Sequence, residues 1–64
     1  MKTYYCVTSA FYDNGRVVAG ITDSKKIKSK PESTFTEKSD RDIYEDWFGS
    51  LKEAEEFVED AKSA

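Results

Sequence analysis

The tripeptide Asp13-Asn14-Gly15 is a tight-turn signal, and it lies between two segments that are rich in β-formers. Residues 3–12 contain many β-branched and aromatic side chains and neither Gly nor Pro, which predicts a strand. Residues 16–22 have the same character and predict the returning strand. The chain is therefore expected to begin with an antiparallel hairpin.

The length of the turn decides which side chains of this hairpin share a face. A two-residue turn of Asn14-Gly15 pairs Phe11 with Val18 and splits the apolar residues between both faces. A three-residue loop with Gly15 in the left-handed region pairs Phe11 with Val17 instead. We favour the second register because it collects the apolar residues on one face, and a one-residue slip would turn all of them to water. That face carries Tyr5, Val7, Phe11, Val17, Ala19 and Ile21, and the other carries Cys6, Thr8, Ala10, Tyr12, Arg16, Val18, Gly20 and Thr22.

Residues 24–40 are polar and lysine-rich and predict a flexible loop. The loop is long for so small a domain, so we expect the second strand to extend toward Ile27 or Phe35, with Phe35 as the anchor of the return. Residues 42–48 are again dense in β-formers and predict a third strand.

A helix is predicted from Leu51 to about Lys62. Gly49 ends the third strand, and Ser50 with Glu53 fits a capping box. In this motif the Ser50 hydroxyl accepts a hydrogen bond from the Glu53 amide, and the Glu53 carboxylate accepts one from the Ser50 amide. Apolar residues recur at spacings of three and four, so one stripe should lie on the sheet. The stripe is Leu51, Ala54, Phe57, Val58 and Ala61, and the opposite side shows Glu53, Glu55, Glu56, Glu59 and Asp60.

These elements predict the fold class: a single α+β domain over residues 1–64, with a three-stranded antiparallel sheet and one C-terminal helix packed on one face, in the order β-β-β-α. One helix cannot cover both faces of a sheet. The uncovered face, or an unpaired edge of the sheet, is therefore a candidate surface for a homodimer or another partner. The uncovered face bears Thr8, Ala10, Tyr12, Val18 and Thr22. We expect Trp47 and Phe48 to lie in or near the core.

Composition excludes several classes of protein. The 64 residues include no histidine and one cysteine, Cys6, so the chain has no internal disulfide and too few ligands for zinc, haem or iron–sulfur sites. No metal and no cofactor are expected. The pattern Asp40-x-Asp42-x-Tyr44 begins like a calcium loop, but Glu45 stands where the turn glycine is required.

Two features predict the compartment. The chain has no run of about 18 apolar residues, and its start reaches the polar Thr8 and Ser9 too soon for a signal peptide. A single cysteine without a partner agrees with a reducing compartment. We therefore expect a cytoplasmic protein that does not enter the membrane.

Charge is distributed unevenly along the chain. Residues 1–39 hold seven Lys/Arg and four Asp/Glu, a balance of +3, whereas residues 40–64 hold three and nine, a balance of −6, which together give the net charge of −3. A solvated face that keeps a small protein soluble explains this pattern. The other interpretation is an anionic surface for a basic partner protein. Its contacting acids would be Asp40, Asp42, Glu45, Asp46, Glu53, Glu56 and Asp60.

An alternative function uses the basic half of the chain. Lys25, Lys26, Lys28 and Lys30, together with Tyr12 and Arg16, could bind single-stranded nucleic acid by charge and stacking. A solvated loop explains the same lysines, and the acidic half would repel phosphate, so nucleic acid is the less favoured partner. Catalysis is not expected, because Cys6 has no histidine to act as its base and 64 residues can hardly enclose a cleft.

The segments YYCVTSAFYDNGRVVAGI and DIYEDWFGSLKEAEEFVEDA resemble small uncharacterised acidic proteins of Gram-positive (Firmicutes) bacteria and of their phages and mobile elements. The resemblance covers both ordered segments but not the lysine-rich loop. It implies a setting in which very small acidic proteins inhibit or adapt a larger host protein, and it carries no catalytic residues. The sequence therefore favours a non-enzymatic interaction module, either an inhibitor or an adaptor.

Overall fold

The computed structural model describes residues 1–63 and contains one antiparallel sheet and one helix. The elements are β1 (Lys2–Tyr12), β2 (Val17–Ile27), β3 (Thr34–Glu37), β4 (Arg41–Phe48) and α1 (Leu51–Ser63). Ala64, the last residue of the predicted domain, lies outside the described residues. The α+β class and the C-terminal helix packed on an antiparallel sheet are confirmed. The prediction of three strands is wrong, because the sheet has four in the order β2-β1-β4-β3.

The additional strand, β3, lies inside the segment predicted as a loop. β3 has only four residues, all exposed, and it pairs with β4 alone. A strand this short carries little periodic signal, and its pairing depends on β4 and on contact between the rings of Phe35 and Tyr44, whose centroids are 4.9 Å apart. The same segment also contains the end of β2, which extends to Ile27 as expected.

The hairpin register is the favoured one. Phe11 pairs with Val17, Ser9 with Ala19 and Val7 with Ile21, which confirms the three-residue loop. Gly15 has a φ of 87°, and its amide donates a 3.0 Å hydrogen bond to the Tyr12 carbonyl. Only glycine adopts this conformation without steric cost, so Gly15 fixes which residues of β1 and β2 share a face.

A β-bulge in β2 changes the pairing beyond this region. Cys6 pairs with Asp23 while Val7 pairs with Ile21, so Thr22 is the extra residue. The hydroxyl of Thr22 lies 2.7 Å from the hydroxyl of Thr8 on β1. The bulge thus places a polar pair on the face that the helix does not cover.

The helix begins where the capping signal predicts. The Glu53 amide donates to Ser50 Oγ at 3.2 Å, and the Ala54 amide donates to the Ser50 carbonyl at 3.2 Å. Of the predicted apolar stripe, Ala54 is buried, but Leu51 is 45% exposed, so its assignment to the sheet-facing stripe is wrong. Leu51 is the first helical residue and follows closely on the end of β4 at Phe48. Within residues 1–63 no helix has the length and apolar character needed to cross a membrane.

The buried residues lie on both faces of the sheet. Val7 and Ala19 face the helix, whereas Cys6 and its β4 partner Trp47 point to the opposite face, where Trp47 is only 8% exposed. That face is therefore not formed by hairpin residues alone. β4 adds Trp47 beside Cys6, which agrees with the expectation that Trp47 lies in or near the core.

We predict that Gly15→Ala destabilises the fold by about 1–2 kcal/mol, because an L side chain is disfavoured at positive φ. Gly20→Ala is the matched control, since Gly20 lies within β2 at ordinary φ and an added Cβ there would meet no atom within 4 Å. It should leave stability unchanged or raise it slightly. Urea unfolding measures both free energies, and equal losses in the two variants would contradict the assignment of the turn.

Candidate partner-binding surface

The helix-side face of β4 alternates acidic and aromatic residues. In the pairing of β4 with β1, Asp42 lies opposite Phe11, Tyr44 opposite Ser9 and Asp46 opposite Val7. Side chains two residues apart on a strand project from the same face, so Asp42, Tyr44, Asp46 and Phe48 form one row. The helix packs mainly over β1 and β2 rather than β4, and Tyr44 in this row is exposed to solvent.

A groove opens between this row and the helix, and we call it the aromatic groove. It measures about 310 Å³ and is lined by Ser9, Phe11, Tyr44, Asp46 and Phe57. Two of its rings are large hydrophobic groups exposed to solvent, Phe11 at 39% and Tyr44 at 40%. Apolar walls with few polar groups are typical of sites that bind a side chain or small ligand.

Ring contacts hold the walls of the aromatic groove in place. The rings of Phe11 and Tyr44 meet edge to face, with centroids 5.5 Å apart. On the helix side, Phe57 packs against Phe48 at 5.0 Å. Such aromatic pairs contribute about 0.5–1.5 kcal/mol each beyond area burial, so the walls are built before any ligand arrives.

Ser9 is the unusual residue of the aromatic groove. Its side chain is 1% exposed, and its Oγ has no hydrogen-bond partner among the described residues. A buried hydroxyl without a partner costs about 1–3 kcal/mol, and most such groups in proteins are paired. The groove therefore has an unsatisfied polar atom in its lining.

A second depression lies on the other side of the helix, and we call it the helix-edge groove. It measures about 580 Å³. Its lining consists of Ile21, Lys52, Glu55, Glu56, Val58, Glu59 and Asp60. Four acidic side chains and Lys52 thus lie beside a small apolar strip formed by Ile21 and Val58.

The structure divides the seven predicted contact acids into two groups. Asp40 pairs with Arg41, whose Nη1 lies 3.0 Å from Oδ1, and this is the one ion pair within residues 1–63. Glu45 points to the face without the helix, where it accepts hydrogen bonds from Thr34 Oγ1 at 3.1 Å and Cys6 Sγ at 3.9 Å. The remaining acids, which lie on the helix or on the helix-side face of β4, are Asp42, Asp46, Glu53, Glu56 and Asp60.

The predicted nucleic-acid residues lie at opposite ends of the sheet. Lys25 pairs with Tyr4, eight residues from Tyr12 along β1, which is roughly 26 Å at about 3.3 Å per residue. Lys25 and Lys26 are consecutive in β2 and so point to opposite faces, while Lys28 and Lys30 lie between β2 and β3. The structure therefore does not bring the lysines together with Tyr12 and Arg16.

Nearby aromatic rings engage three cations on the uncovered face, the first being Lys2, whose Nζ lies 5.8 Å from the centroid of the Tyr4 ring. Lys25 Nζ lies 5.4 Å from the centroid of the Trp47 ring. The Arg41 guanidinium lies 5.6 Å from the Tyr12 ring. These distances are within the range of cation–π attraction, so these cations interact with aromatic rings of the chain itself.

Cys6 is fully buried on the same face. Burial is the main cause that raises the pKa of its thiol; the Thr22 hydroxyl lowers this pKa in part, and the Glu45 carboxylate raises it further. A thiol held neutral is a poor nucleophile and a poor metal ligand. Within residues 1–63, no group of three or more carboxylates or thiols converges in a way that could hold a metal ion.

Sequence reasoning missed several residues that shape these grooves. Ser9, Phe11 and Tyr44 were not assigned to a site, nor were Glu55 and Glu59. The period-two alternation from Asp42 to Phe48 could have shown the acidic and aromatic row. Ser9 and Phe11 could not have been added from the sequence, because their place depends on the pairing of β1 with β4.

We predict that the buried thiol makes stability depend on alkaline pH. Because the pKa of the Cys6 thiol is higher in the folded than in the unfolded state, the unfolded state releases its proton first as pH rises. The contribution of the thiol to the free energy of unfolding is therefore complete below the unfolded-state pKa of about 8.5 and is lost as pH rises through the folded-state pKa. Between about pH 8 and pH 10.5, the wild type should therefore lose more unfolding free energy than Cys6→Ala. Urea titrations of both proteins make the comparison, because the two proteins differ only at position 6; equal losses would contradict the prediction.

The chain was compared with known proteins at three levels. No protein-family model, no curated protein and no solved structure matches it. The resemblance to small acidic proteins of Gram-positive bacteria and their mobile elements therefore stays a prediction.

Proposed function

We propose that this chain is a non-enzymatic protein–protein interaction module, a small inhibitor or adaptor that presents an acidic surface to a basic partner. The surface consists of the exposed side of the helix and the helix-side face of β4. Five of the seven predicted acids belong to it: Asp42, Asp46, Glu53, Glu56 and Asp60. Asp40 and Glu45 are engaged within the chain and are left out.

The observation that carries the proposal is that this negative charge is not compensated inside the protein. Within residues 1–63 the one ion pair joins Arg41 and Asp40, so none of the helix carboxylates is in an ion pair. Like charges one turn apart, such as Glu55 and Glu59, repel each other by a few tenths of a kcal/mol. A cationic partner would remove this repulsion.

The position of the charge supports binding over general solubility. Carboxylates border two concave, partly apolar grooves, one on each side of the helix. Glu53 precedes Phe57 by one helical turn and so lies on the side of the aromatic groove, while Glu56 and Asp60 line the helix-edge groove. Apolar surface rimmed mainly by charge of one sign, here with Lys52 as the one cation among the residues that line the two grooves, is typical of a docking surface for an oppositely charged partner.

The test compares two triple variants that both change the net charge from −3 to 0. The first carries Glu53→Gln, Glu56→Gln and Asp60→Asn, and the control carries Asp13→Asn, Asp23→Asn and Glu32→Gln, which lie away from the helix. The tagged proteins are incubated with a lysate of the cells that make the protein, and captured proteins are quantified by mass spectrometry.

We expect the wild type and the control to capture the same basic proteins, and the helix variant to lose them. Capture should fall about 10-fold or more between low and high salt, because exposed charge pairs are screened. Equal losses in both variants, or salt-insensitive capture, would contradict the proposal. Capture that depends on nucleic acid, shown by nuclease treatment, would favour the lysine-based alternative instead.

A further inference from the structure

We infer that the aromatic groove is the anchor point for a single basic side chain, a lysine or arginine of the partner protein. This inference rests on the proposed function and assigns its central contact. The groove combines three aromatic walls, contributed by Phe11, Tyr44 and Phe57, with the Asp46 carboxylate and the unpartnered Ser9 hydroxyl.

The polar atoms of the groove select a hydrogen-bond donor of positive charge. Ser9 lines the groove and its buried Oγ has no partner among the described residues, so it can accept a hydrogen bond from an incoming group once a small movement of the lining uncovers it. Asp46 faces the same side of the sheet, paired with Val7, the residue two before Ser9 on β1. An ammonium or guanidinium group carries several donors and no acceptor, so one such group can meet both residues.

The aromatic walls favour the same occupant. A cation within about 6 Å of a ring face is attracted by the ring's quadrupole, most strongly where the site is partly desolvated. Phe11 and Tyr44 are already packed edge to face, and Phe57 is held by Phe48, so the rings need little reordering to receive the cation. The methylene stem of lysine or arginine would cover the apolar surface between them.

Other occupants do not satisfy the groove. An apolar group would leave Ser9 unpaired and would shield the Asp46 carboxylate from water without a partner, which is unfavourable. An anionic ligand would be repelled by Asp46 and by the nearby Asp42. At about 310 Å³, the groove is at the small end of ligand sites, which suits one side chain.

The inference is tested by NMR titration of the full chain with three tripeptides. The probes are acetyl-Gly-Lys-Gly-amide, its arginine counterpart, and a neutral norleucine counterpart with the same aliphatic stem. We expect the two basic peptides to shift the resonances of Ser9, Tyr44 and Phe57, and the norleucine peptide to leave them in place. Shifts spread evenly over the helix carboxylates, or equal binding of the norleucine peptide, would overturn the inference.

Two substitutions on neighbouring positions of β4 provide the matched control. Asp46→Asn and Glu45→Gln each remove one negative charge, but Asp46 lines the groove whereas Glu45 faces the other side of the sheet. We expect Asp46→Asn to weaken binding of the lysine peptide about 10-fold and Glu45→Gln to change it less than about 2-fold. Equal effects would show that only overall charge matters.

Ser9→Ala separates a binding role from a structural one. Removing an unpaired buried hydroxyl should leave the urea midpoint unchanged or raise it, while binding of the lysine peptide weakens about 3-fold or more. Unchanged binding would overturn the role of Ser9 in the site.

The outcomes for the groove and for the proposed function are distinguishable. If the basic peptides give no local shift, the groove does not bind a basic side chain. If the helix triple variant nevertheless loses its captured partners, the acidic surface stands and only the assignment of its anchor is wrong. If the groove resonances move when the concentration of the chain alone is raised, the occupant is a second copy, and a partner protein's side chain is excluded.

Discussion

The antiparallel pairing of β1 with β4 is the interaction on which the rest of the structure depends. It joins the N-terminal hairpin to the C-terminal half, from Tyr5 opposite Phe48 to Tyr12 opposite Arg41. Because β1 also pairs with β2 along its whole length, it is the central strand that both halves share. Ser9, Tyr44 and Phe57 lie around one groove only because this pairing sets their register and directs the helix back across the sheet.

The same pairing explains how a sheet with one helix buries side chains on both faces. Cys6 and Val7 are adjacent on β1, point to opposite faces and are both fully buried. The helix, through Ala54, is the packing layer on the side of Val7. On the side of Cys6, β4 contributes Trp47 beside it.

Local signals predicted the parts of the fold that depend on neighbouring residues. The Asp13-Asn14-Gly15 loop specified the hairpin register because only one register keeps the apolar residues together, and Ser50 marked the start of the helix through its hydrogen bond with the Glu53 amide. β3 was missed because a four-residue exposed edge strand is defined by its pairing with β4.

The acidic character of the second half was also visible in the sequence. The sequence did not show which of its acids are engaged within the chain and which border a groove. Asp40 is neutralised by the adjacent Arg41, and Glu45 faces away, for reasons that depend on side-chain geometry and strand parity. Likewise, Ser9 and Tyr44 are 35 positions apart, and only the sheet brings them opposite each other. The sequence therefore predicted the charge, and the fold determines which part of it borders a groove.

The most direct test of this account is a nuclear Overhauser spectrum of the free protein. We expect contacts between the ring protons of Phe11 and Tyr44, whose ring centroids are 5.5 Å apart, and between those of Phe48 and Phe57, whose centroids are 5.0 Å apart. These contacts require both the β1–β4 register and the return of the helix over the sheet. A spectrum in which Phe57 contacts only residues of its own helix, or Tyr44 has no contact with Phe11, would contradict it.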